Sequence, residues 1–227
     1  MARSPMGPPS GPLFDRLVAD SSAEWQRYVG HAFVRGVADG TLPLPAFKYY
    51  LCQDYLFLTH FTRAYALAIY KSNSLAEMRE SAATVAALLD EASLHLRFCA
   101  GWGLSEADVT AMPEDPACMA YTRYVLDAGM RGDLLDLHAA LAPCVAGYAC
   151  IGHALGRAAR LDGNPYRDWI AAYAGDEYQA IGQAAATRLD RLFAQRGGEN
   201  RYAGLLSTFK EATRLEAEFW RMGLDRA

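Results

Sequence analysis

"FKYYLCQDYLFLTHFTRAY" (residues 47–65) lacks the strict alternation of apolar and polar residues that a half-buried strand requires. Its apolar side chains return by steps of four and three. Phe47, Leu51, Leu58, Phe61 and Tyr65 share one face of a helix, with Asp54 in their midst. The stripe makes the chain helical here and raises a chemical question. A carboxylate on a buried face is costly unless something pairs with it. Its partner is either a cation of this chain, with Arg63 and Arg123 as candidates, or a ligand.

The same period continues on both sides. Pro43 and Pro45 stand before a pattern running from about 45 to 71, and Ser74-x-x-Glu77 reads as a capping box for a helix reaching Gly101. Ser105-x-x-Asp108 opens a short helical turn. Asp115-Pro116 and Asn164-Pro165 each set a capping side chain before a proline at the first helical position. Asp133 caps a pattern reaching about Leu161, with Gly163 at its exit, and "RGGEN" (196–200) is a turn before a last helix over 201–222. No strand ladder, repeat or shift in composition interrupts this. The expectation is an all-α bundle of seven or eight helices in a single domain, 13–227, behind a disordered Pro/Gly/Ser-rich lead-in, 1–12.

At 227 residues, 52% hydrophobic and 21% charged, the chain can bury a sizeable core. A net charge of −4 leaves no basic footprint, which argues against nucleic acid and against an anionic membrane surface. No apolar run in the sequence approaches the ~20 residues a membrane-spanning helix needs. The N-terminus has no apolar segment of the secretory type. Five cysteines, an odd number with no C-x-x-C pair, read as reduced thiols of a cytoplasmic protein.

Two further stripes carry reactive groups. Leu137, Leu141, Cys144, Tyr148, Ile151 and Leu155 share a face, as do Leu205, Phe209, Ala212, Glu216 and Phe219. Glu211 and Glu218 fall off the latter and read as solvated. A buried cysteine is ordinarily an inert core residue. Cys144, however, follows Pro143, and a kink there is expected to free backbone N–H groups that favour a thiolate. Two inward acids and an inward thiol on three helices point to an interhelical pocket for a small molecule, with Tyr121, Tyr148, Tyr166, Trp169 and Tyr173 available as walls. Glu91 and His95, one turn apart, read as a salt-bridged or capped surface pair. Their alternative is half of an iron site, but the Glu-x-x-His repeats of di-iron bundles are missing. His60 reads as surface or as a satisfied core group, and His138 and His153 lack a second ligand at useful spacing. No metal and no cofactor is expected.

These residues also carry a family pattern. "HAFVRGVADGTLPLPAFKYYLCQDYLFL" (31–58) resembles the H-x-F-V…G-T-L-P…F…Y-L-x-Q-D-Y segment of the TenA family. "LAPCVAGYACIG" resembles its P-C-x-x-x-Y block, "NPYRDWIAAYAGDEY" its P-Y-x-x-W-I-x-x-Y block and "LEAEFW" its E-x-x-F-W ending. The likeness spans about 22–223. It implies a haem-oxygenase-like helical bundle without haem. It also implies an aminopyrimidine aminohydrolase or thiaminase II of thiamin salvage, acting as a homotetramer on a small pyrimidine. In the cysteine-containing branch, the position of Cys144 is the nucleophile, that of Glu216 transfers protons, and that of Asp54 binds the aminopyrimidine. Positions matching Tyr121, Tyr148 and Tyr173 line the pocket. Phe57 stands where many members have tyrosine, leaving a stacking face without a hydroxyl, and Val145–Gly147 replace a frequent aromatic. The rival readings are a pyrimidine-binding or regulatory protein without turnover, and a metal-dependent oxidase on the same bundle.

Overall fold

All three stripes become single uninterrupted helices in the computed structural model, which describes residues 7–159 and 161–226. In chain order the helices are α1 (Pro12–Asp20), α2 (Ser22–Val29), α3 (Ala32–Asp39), α4 (Leu44–Lys71), α5 (Leu75–Gly101), α6 (Glu106–Thr110), α7 (Pro116–Arg131), α8 (Leu134–Ala158), α9 (Arg167–Ala174), α10 (Asp176–Arg196) and α11 (Glu199–Leu224). Among the described residues there is no strand, and the helices form one domain.

Among the described residues eleven helices stand where seven or eight were expected. The surplus comes from the three short N-terminal helices and from Gly175, whose extended backbone separates α9 from α10. The caps follow the sequence at Ser74, Ser105, Asp115 and Asp133, each accepting a hydrogen bond from the first turn of its helix. Asn164 departs from expectation. Its Oδ1 accepts from the Tyr166 N–H at 2.8 Å and its Nδ2 donates to the Val37 carbonyl at 2.9 Å, so it ties a turn to α3 while α9 starts later, at Arg167.

α8 lies at the centre, packed by α7, α9, α10 and α11. It corrects the sequence reading twice. By length and composition it is apolar enough to cross a membrane, yet 83% of its most apolar window is buried inside the bundle, the condition of a core helix. It also runs through Pro143 without a break, because a proline forfeits one backbone N–H while the packed neighbours hold the rest. The expected cluster of freed N–H groups beside Cys144 is therefore missing.

Trp220 of α11 is fully buried, with ring centroids of Phe33, Tyr50 and Tyr148 at 4.9, 5.1 and 5.2 Å. These aromatic contacts fasten α3, α4, α8 and α11 together and leave little freedom at the residues beside them. Residues 1–6 of the expected lead-in lie outside the described residues. Ser10, within it, exchanges two hydrogen bonds with Gln183 of α10, at 3.1 and 2.8 Å.

Candidate active site

Asp54, Cys144 and Tyr148 sit on inward stripes, so the helical period alone aims them at the interior. Around them α4, α5, α8, α9 and α10 enclose a cavity of about 330 Å3, whose lining includes Asp54, Phe57, Cys144, Tyr148, Trp169 and Tyr173. Of the seven residues to which the family likeness gives a place in the site, Asp54, Phe57, Cys144, Tyr148 and Tyr173 thus line one cavity, as does Trp169, while Tyr166 does not. Glu216 and Tyr121 stand one layer behind it, with the Tyr121 hydroxyl donating to Glu216 Oε1 at 2.8 Å. Phe57 stacks on Tyr121 at 5.2 Å, linking that layer to the cavity.

The partner of Asp54 is neither Arg63 nor Arg123, which turn to His60 and Glu114. It is His95 of α5, fully buried, whose Nε2 lies 2.7 Å from Asp54 Oδ2. The Tyr50 hydroxyl donates to the same oxygen at 3.2 Å, and it contacts the Tyr148 hydroxyl at 3.3 Å. His95 Nδ1 is 2.9 Å from the Glu91 carbonyl, which can only accept. With an acceptor on each nitrogen, the ring is an imidazolium. Burial works against that charge, but the bond and charge of Asp54, aided by Glu91, carry the His95 pKa up to about 9. Asp54 Oδ1 makes no hydrogen bond among the described residues.

Glu91 and His95 are therefore not a surface pair. Glu91 accepts from the Tyr173 hydroxyl at 2.8 Å, and burial raises its pKa. Both His95 nitrogens are engaged, and among the described residues no three metal-ligating side chains converge. A local signal for His95 existed. Leu88, His95 and Cys99 fall on one buried stripe of α5, so the histidine pointed inward as surely as Asp54 did.

Glu216 is 2% exposed, and its carboxyl is pushed up to about 8. Burial is the main cause and Asp54 adds to it, against the Tyr121 hydroxyl and the neighbouring Cys144 thiol. Cys144 itself is raised well above the ordinary thiol range by burial and then by Glu216, Asp54 and Glu91. The thiolate expected from a kink at Pro143 is overturned, because burial and then the charges of Glu216, Asp54 and Glu91 disfavour a negative sulfur. At neutral pH the arrangement holds a thiol, a protonated carboxyl and an imidazolium–carboxylate pair around one aromatic-walled space. It can deliver a proton from Glu216 and offer a nucleophile from Cys144.

The model of the TENA/THI-4/PQQC family matches residues 19–226. A protein of Haemophilus influenzae, described only as uncharacterized, is 42% identical over 218 residues, 95% of this chain and 100% of its own length. An aminopyrimidine aminohydrolase of Halalkalibacterium halodurans is 34% identical, covering 87% of this chain and 89% of its own. The crystal structure of a TenA family transcription regulator from Silicibacter sp. superposes with a TM-score of 0.90 at 46% identity, covering 95% of this chain and 98% of that one.

Proposed function

Since the chain belongs to the TENA/THI-4/PQQC family, we propose that it is a hydrolase of thiamin salvage. It cleaves the exocyclic C–N bond of an aminomethylpyrimidine to give the hydroxymethylpyrimidine, with Cys144 as nucleophile. We further propose that it works in the cytoplasm as a homotetramer, the mass sedimentation would read. The observation that carries the reaction is that Cys144 and Asp54 line one cavity while Glu216, its carboxyl held protonated, stands just behind the thiol, the three coming from three different helices.

The leaving amine hangs on a methylene attached to an aromatic ring, where direct displacement is slow. Addition of the Cys144 S–H across a C=N bond of the ring, sulfur to carbon and proton to nitrogen, removes the aromaticity and needs no preformed thiolate. Glu216 then protonates the amine, which departs as the C–N bond breaks and the ring supplies the electrons. Water adds to the methylene and returns its proton to Glu216. Loss of the thiol, sulfur and proton together, restores the ring. Splitting one hard step in this way is covalent catalysis.

Asp54 Oδ2 already holds two donors, so Oδ1 is the atom we assign to the pyrimidine's exocyclic amine, a charge-assisted hydrogen bond. Phe57, Tyr148 and Tyr173 supply stacking faces, and Tyr121 acts from behind through Glu216. The test is Cys144→Ala. Product formation from the aminomethylpyrimidine is expected to vanish while pyrimidine binding persists; undiminished turnover would remove the nucleophile from the scheme.

A further inference from the structure

Beside the candidate active site, α5 and α10 scarcely touch backbone to backbone. Side chains bridge the gap: Arg191 Nη1 to Glu80 at 2.9 Å and Arg196 to Glu77 at 3.3 Å. The Arg191–Glu80 bridge borders a second cavity of about 690 Å3, floored by Tyr65 of α4 and His138 of α8 and walled by alanines of α5 and α10. It shares Ala87, Val145 and Ile181 with the first.

Three polar groups on its lining lack partners. Arg188 is 8% exposed, and its Nη2 donates to Ser81 at 2.7 Å, but its Nε makes no hydrogen bond; Glu80 Oε2 is 3.7 Å away. His138 is 4% exposed and its Nε2 is likewise unpaired. The Tyr65 hydroxyl makes no hydrogen bond among the described residues, and its ring lies 6.0 Å from that of His138. Two of these, Arg188 Nε and His138 Nε2, are buried polar atoms without a partner, which folded proteins rarely leave, so the pair calls for an occupant that the Tyr65 hydroxyl can also reach. Charge gives the sign of that occupant. Arg188, Arg191 and Arg196 are matched by only two carboxylates, Glu77 and Glu80.

We propose that this second cavity is a binding site for a small oxyanion of the phosphate class, held by Arg188, His138 and Tyr65. Its oxygens accept from all three, and its charge meets the guanidinium left over. The inference stands apart from the hydrolase reading. It concerns either a free anion or the anionic tail of a larger ligand.

Calorimetric titration of the full chain with inorganic phosphate at low ionic strength tests it, and one saturable site is expected. Arg188→Met also removes the bond to Ser81 that ties α10 to α5, so the decisive variant is Ala184→Leu. This exposed lining residue fills the space while leaving every polar group in place. Phosphate binding should weaken at least tenfold in Ala184→Leu with the thermal melt unchanged. Absence of saturable binding in the wild type, or equal binding in Ala184→Leu, overturns the proposal and leaves a water-filled cleft. Repeating the titration with a phosphomonoester of hydroxymethylpyrimidine separates the sources. Affinity above that of inorganic phosphate marks a tail, equal affinity marks a free anion, and either outcome requires the site.

Discussion

At Glu216, burial overrides the Tyr121 hydroxyl and keeps the carboxyl protonated up to about pH 8. In the proposed reaction that proton is the one given to the leaving amine, so activity depends on the acid form and is lost as pH rises through about 8. Glu216→Gln keeps the shape without the transferable proton. Its turnover should fall by about 10²–10⁴-fold, and its residual rate should lose the alkaline limb seen in the wild type. A pH–rate profile reads both. At His95 the consequence is stability. Its folded pKa, about 9, lies above the ordinary histidine value of 6.5. A group raised on folding contributes fully below its unfolded pKa, and that contribution fades as pH climbs through the folded one. Stability from this pair is therefore whole below about pH 6.5 and gone above about 9. His95→Gln leaves Asp54 buried without its cation, a loss of about 3 kcal/mol. Urea unfolding at pH 6 should show that loss, and the gap to wild type should narrow by pH 10.

On the scale of single helices, the sequence was most readable where the information is local. Steps of four and three need only one helix to be correct, and they aimed Asp54, Cys144 and Glu216 inward without reference to any other element. The caps at Ser74, Asp115 and Asp133 were legible for the same reason. What joins helices was not. Asp54 and His95 are 41 residues apart, and no local period specifies which side chain a buried acid meets. Pro143 misled in the opposite direction, since a local rule predicted a break that tertiary packing suppresses. Gly152 shows how closely helices are held here. A Cβ at that position would lie 2.2 Å from the Tyr173 carbonyl oxygen, a backbone atom that cannot swing aside. Gly152→Ala should therefore push α9 away from α8, moving Tyr173 and Trp169 at the cavity wall. Overpacking of this kind costs about 1–3 kcal/mol. Substrate affinity should weaken along with the melting temperature, whereas a variant matching wild type in both would show that α9 is free to adjust.

Taken whole, the molecule places its chemistry where several helices must agree. The cavity draws walls from α4, α5, α8, α9 and α10, so a ligand filling it binds only the assembled bundle and stabilises the fold by mass action. At a hundred times its dissociation constant, hydroxymethylpyrimidine should add about 2.7 kcal/mol. For a domain of this size that is a rise in melting temperature of about 5–10 °C. The variants separate by role. Cys144→Ala alters the reacting atom and leaves the walls intact, so the full rise should remain. Asp54→Asn replaces the anion that His95 faces and that we assign to the exocyclic amine, so most of the rise should disappear even where the unliganded variant is still folded. Thermal melts of the three proteins, with and without the pyrimidine, decide the matter. A rise preserved in Asp54→Asn would mean that the buried ion pair serves the fold alone and that the ring is recognised elsewhere on the wall.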